Sequence, residues 1–117
     1  MKIMLEVDVG YAIDFLSILE VKLNKLNDKI SLNNFDHQKA SLSNQIDFEL
    51  FNQILNSEEY KELYEANKMI WESIDLIKTG DITAKYVDDL NYKRWTLKNK
   101  LQSKFFNHHT SEQKTQR

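Results

Sequence analysis

The chain has 117 residues, with two glycines, no proline and no cysteine, and a formal charge of −2. Without cysteine it can hold neither a disulfide nor a thiolate metal site, and with so few helix breakers its backbone is free to run in long helices. At 41% apolar residues it can bury a core as one domain, and no run approaches the roughly 18–20 apolar residues of a membrane span.

The opening residues MKIMLEVDVG place charges among apolar residues and lack the apolar stretch of a signal peptide, so the expected location is the cytoplasm. The near-neutral total hides an asymmetry. From Lys85 onward there are eight Lys/Arg against three Asp/Glu, and before it eight against fifteen. A basic last helix balancing acidic helices within one bundle is the favoured reading, and nucleic-acid binding through that helix ranks third among the functional readings.

Ile3, Leu5, Val7 and Val9 alternate with Met4, Glu6 and Asp8, which is a strand period. The rest of the chain offers no second strand, so this segment is expected to be an extended arm or to pair with a copy of itself. Asp8 is positioned to cap the helix that follows. That helix is predicted over about Val9–Leu26, with Ala12, Leu16, Leu19, Leu23 and Leu26 in one stripe. Phe15, Ile18 and Val21 widen the apolar face, leaving a thin polar strip of Ser17, Glu20 and Asn24. A helix so apolar should be covered on more than one side.

Asn27-Asp28 is the expected break. Leu32, Phe35, Leu42, Ile46, Leu50 and Ile54 fit a helical face, yet SLNNFDHQK favours turns and caps, so a loop or irregular turn is expected within 28–40 before a helix ending near Leu55. Asn56 or Ser57 caps the next helix, whose inner face is read as Tyr60, Leu63, Asn67, Ile70, Ile74 and Ile77. Thr79-Gly80 ends it. The last helix starts near Thr83, with Val87, Leu90, Leu97, Leu101 and Phe105 as its stripe. So short a connection predicts an antiparallel hairpin. The polar, aperiodic residues 107–117 read as a disordered tail.

Two polar sets fall on this hairpin. Asn91, Arg94 and Lys98 lie at i, i+3 and i+7, while Asn67, Trp71 and Asp75 follow one another at steps of four. Facing each other, they predict an Asp75–Arg94 ion pair, and Glu20 is expected to partner Arg94 or Lys98. Such a seam fixes the register between helices. Its functional alternative is an anion pocket, with Arg94 gripping a carboxylate or phosphate and Lys98 adding charge. Trp71, Tyr92 and Trp95 read as core or interface residues rather than base-stacking platforms. His37, His108 and His109 form no ligand framework, so no metal, no cofactor and no catalytic residue is assigned.

Two stretches resemble an uncharacterised bacterial family of small helical proteins. Its members open with an extended arm and Ser-x-Gly-Glu, then a helix of the type Leu-Asp-Lys-Leu-x-Ile-Leu-x-Ile-Lys, with Asn-x-x-Leu-Trp and Asn-x-x-Arg-x-x-x-Lys later. In VDVGYAIDFLSILEVKL the matching positions are Asp14, Ile18, Leu19 and Lys22; in NKMIWESID they are Asn67, Trp71 and Asp75; in LNYKRWTLK they are Asn91, Arg94 and Lys98. The similarity covers about two thirds of the chain as spaced positions. Asp8, Tyr11 and Phe15 depart from the pattern, which has Ser, Glu and Lys there. The resemblance implies an all-helical architecture and carries no reaction with it.

The sequence therefore predicts an all-α bundle of three to four helices over residues 1–106, built on a C-terminal antiparallel hairpin and preceded by an extended arm. The expected function is a non-enzymatic interaction or scaffold module that forms a homo-oligomer, a dimer by preference, with no role for a membrane; the alternative is an enzyme or sensor that binds a small anionic metabolite, a carboxylate or sugar phosphate, between helices. The Asn-, Lys- and Ile-rich composition fits an AT-rich bacterial or phage genome.

Overall fold

A computed structural model describes residues 1–106, and within them the chain is all-α. Five helices follow the arm: α1 Val9–Leu26, α2 Lys29–Gln45, α3 Phe48–Leu55, α4 Glu58–Lys78 and α5 Ala84–Phe106. The tail expected over 107–117 lies outside the described residues. None of the described helices is long and apolar enough to cross a membrane.

The helix ends follow from local chemistry. Ser57 accepts from the Tyr60 amide at 3.1 Å and starts α4. Its far end is a complete Schellman motif: Gly80 sits at φ +80°, its amide reaches the Ile77 carbonyl at 3.0 Å, and the Asp81 amide reaches Leu76 at 2.9 Å. Asn27, at φ 50°, ends α1 in the left-handed region.

Two sequence expectations need correcting here. Residues 28–40 are not a loop, because Asp28 caps α2 through the Ser31 amide at 2.8 Å and the helix runs on to Gln45. Partly buried Phe35 and Leu42 pack against the core and compensate the modest helix propensity of the Asn- and Ser-rich surface. The break comes instead at Ile46, which is extended and buried, before Asp47 caps α3 through the Leu50 amide at 3.1 Å. The second correction is at Asp8: it holds the N-cap position of α1, but its side chain makes no cap bond. The Gly10 amide is bonded by the Gln102 side chain of α5 instead.

α1 lies at the centre and packs against α2, α4 and α5, while α3 bridges α2 and α4. α4 and α5 are antiparallel, with Lys104 near the end of α5 bonding Glu59 at the start of α4 at 2.7 Å. The core gathers Ile13 and Leu16 from α1, Phe51 and Ile54 from α3, Tyr60 and Leu63 from α4, and Leu97 and Leu101 from α5. Each fully buried aliphatic of this set contributes about 1.5–3 kcal/mol. The hairpin's turn end lies beyond this core. Ile74 and Ile77, read from the sequence as inner-face residues, are 50% and 42% exposed.

Candidate functional site

The polar strip of α1 is turned inward. Asp14, one turn after Gly10 and one turn before Ser17, is 1% exposed, and Ser17 is fully buried. Asn67 of α4 donates one amide group to both, at 3.0 Å to Asp14 Oδ1 and 2.8 Å to Ser17 Oγ. Ser17 in turn donates to the Asp14 carbonyl at 2.7 Å. Arg94 of α5 closes the cluster with a two-pronged bond, Nε at 3.0 Å from Asp14 Oδ1 and Nη2 at 2.7 Å from Oδ2. Three helices thus converge on one carboxylate. A planar fork aligned on both its oxygens is the strong form of such a contact, and burial makes it sensitive to loss of either member.

The expected Asp75–Arg94 pair is replaced by Asp14–Arg94. Asp75 stands eight residues after Asn67, about 80° around the helix at 100° per residue, and is exposed on the overhanging part of α4. Glu20 does not partner Arg94 or Lys98 either. It accepts from the Tyr60 hydroxyl at 2.7 Å, and burial, reinforced by this carboxylate, holds the Tyr60 hydroxyl well above its ordinary pKa of 10.0. Asn91 bonds back to the Val87 carbonyl of its own helix at 3.1 Å. Lys98 is buried, at 5% exposure, with its ammonium 5.3 Å from the centre of the Tyr11 ring. Of the six candidates, Asn67 and Arg94 meet in one cluster; Glu20, Asp75 and Asn91 have other surroundings, and Lys98 lies one turn along α5 from Arg94.

Further contacts carry the strip along α1. Asn24 donates to the Tyr64 hydroxyl at 2.7 Å, and Lys25 pairs with Glu72 at 2.7 Å. The Lys25 ammonium holds the Glu72 carboxyl below its ordinary value. At the other edge, Gly10 is pressed onto α5 so closely that a Cβ there would lie 3.0 Å from the Lys98 carbonyl and 2.9 Å from Gln102 Oε1. The sequence marks Asp14 only as a position matched in the resemblance and not as a seam residue, although its spacing to Gly10 and Ser17 places it on the same strip. Nearby on α5, Trp95 Nε1 and Asn99 Oδ1 are buried without a hydrogen-bond partner.

Two open clefts flank the bundle. One, of about 400 Å³, lies between α2 and α3 against Lys39, Phe48 and Phe51; the other, of about 360 Å³, borders Glu20, Tyr60 and Tyr64. Neither is lined by Asn67, Arg94 or Lys98. Among the described residues no group of three or more His, Asp or Glu is arranged to hold a metal ion. No family model, curated protein or solved structure matches the chain.

Proposed function

We propose that this protein is a cytoplasmic, non-enzymatic helical interaction module that self-associates, as a dimer by preference. The observation that carries the reading is the segment before α1. Met1, Ile3, Met4 and Leu5 are 78% exposed or more, ahead of a chain that from Val9 to Phe106 is helical apart from short connections. Apolar side chains gathered on one exposed segment favour a partner that covers them. The seam supports the same reading, because the Arg94 fork is engaged by the chain's own Asp14 and acts as a register lock between helices. We group the chain with the small helical bacterial proteins that its motifs resemble, on the ground that Asp14, Asn67 and Arg94 are all matched positions and share one cluster. The test is sedimentation velocity from low to high micromolar protein: a dimer is expected, and a monomer throughout overturns the proposal.

A second reading rests on the outer edge of Arg94, whose side chain is 30% exposed. A small carboxylate or sugar phosphate approaching that edge would compete with Asp14 for the guanidinium. Thermal melting with inorganic phosphate and a panel of carboxylates separates the two readings. The interaction module predicts an unchanged midpoint; stabilisation that disappears in Arg94→Lys favours the anion site.

A further inference from the structure

The packing of α1 leaves one stripe of that helix to solvent. Ile13, Leu16, Leu19 and Val21 are buried. Tyr11, Phe15, Ile18, Lys22 and Leu26 share the remaining side, with Tyr11, Phe15 and Leu26 47%, 44% and 52% exposed and Ile18 partly so. An outward helix face is ordinarily polar. Here Lys22 is the stripe's one charge, and among the described residues no carboxylate pairs with it. The first four positions follow at steps of four, three and four, the spacing of a seam between two helices. We propose that this stripe is the contact through which two copies associate, α1 lying antiparallel against α1 of the second copy with the twofold axis beside Ile18. This rests on the self-association proposed above and gives it a surface and a direction.

Charge selects that arrangement. The antiparallel pairing sets Phe15 of each copy against Lys22 of the other, an ammonium on an aromatic ring twice over, and Tyr11 against Leu26. The two Lys22 ammoniums then stand roughly 10 Å apart along the axis, near the Debye length at physiological salt. A parallel pairing about a twofold axis instead brings Lys22 directly opposite Lys22. A slide of one turn in one direction sets Lys22 against Tyr11, whose ring already has the Lys98 ammonium 5.3 Å from its centre, so two cations would crowd one ring. A slide in the other direction sets Lys22 against Ile18, which offers a cation nothing.

The same direction gives the arm a place. The start of α1 lies beside the end of α1 in the second copy, so Ile3, Met4 and Leu5 are carried to the α1–α2 corner, where Leu26 and Ile30 are 52% and 73% exposed. That extends the apolar contact beyond one helix pair, toward the roughly 1,200 Å² of a specific interface.

Sedimentation and cross-linking test the contact together. Phe15→Lys sets a second ammonium against Lys22 of the other copy and is expected to weaken dimerisation about tenfold or more, with the helical circular dichroism unchanged. Adding Lys22→Glu should restore the dimer, because each new ammonium then faces a carboxylate across the axis, which a parallel pairing would not provide. The chain has no native cysteine, so single thiols report position. With a short bis-maleimide, Ile18→Cys is expected to link to itself and Leu26→Cys alone to stay unlinked, while Leu26→Cys mixed with Tyr11→Cys should link. A dimer that withstands Phe15→Lys, or in which Ile18→Cys stays unlinked, overturns α1 as the contact and leaves self-association standing. Linking of Leu26→Cys alone, or no restoration by Lys22→Glu, overturns the antiparallel direction. A monomer throughout overturns the contact and the self-association alike.

Discussion

The two ends of the α4–α5 hairpin carry similar apolar spacing and meet different fates. Near Ser57, Tyr60, Leu63, Leu97 and Leu101 are buried. Near Gly80, Ile74, Leu76, Ile77 and Tyr86 remain 39–50% exposed. The difference lies in their neighbours. α1 and α3 cover the first end, and the contact of α1 with α4 reaches as far as the Lys25–Glu72 pair. Beyond Glu72 the large apolar side chains Ile74, Leu76 and Ile77 all stay exposed. Periodicity names a face that can be buried, and a third element decides whether it is.

Perturbing the covered part should show this contrast most strongly. Asp14→Ala or Arg94→Ala leaves a charge without its partner in the seam and is expected to cost about 3–5 kcal/mol in chemical denaturation. Ile74→Ala at the open end should change stability by no more than about 0.5 kcal/mol. An equal loss at both sites would erase the distinction. Next in size is Gly10→Ala. Its added methyl meets the Lys98 backbone carbonyl at 3.0 Å, which cannot swing aside as a side-chain tip can. A loss of about 1–3 kcal/mol is expected, as for other overpacked contacts.

Gly80→Ala probes the open end by a different route. No atom lies within 4 Å of the new Cβ, but φ is +80°. The cost is therefore conformational, about 1–2 kcal/mol, and should be seen as a lower thermal midpoint without any change in packing. The smallest effect belongs to Glu59, whose carboxyl is held below its ordinary 4.5 chiefly by the bond from Lys104. A depressed folded value means that its contribution is complete above about 4.5 and lost as pH falls below that through the lowered value. Melting between about pH 6 and about pH 3 should show this decline, and Glu59→Gln should flatten part of it.

Much of this architecture was legible in the chain. The bounds of α1 and α4 and the hairpin turn follow from residues with strong local preferences, chiefly Asn27-Asp28, Ser57 and Gly80. Asn67 stands out in the sequence because it interrupts an apolar stripe, and Arg94 because it lies with Asn91 and Lys98 along the edge of one. Asp14 does not, since it sits between Ile13 and Phe15 on a helix that reads as apolar nearly all round. Asp75 falls outside the seam because spacing by fours drifts around the cylinder, and sequence does not reveal where α4 outruns its cover. Composition alone makes the stretch 28–40 look like a turn, whereas a cap at Asp28 and two side chains touching the core determine its state.

The contact between the Gly10 amide and Gln102 joins groups 92 residues apart. A helix usually finds the acceptor for its first amides in its own cap residue, available as soon as the segment exists. Here the acceptor is among the last parts of the described chain to leave a ribosome. The opening turn of α1 is therefore completed only once α5 has docked, so the first helix to be made is among the last to have its end satisfied.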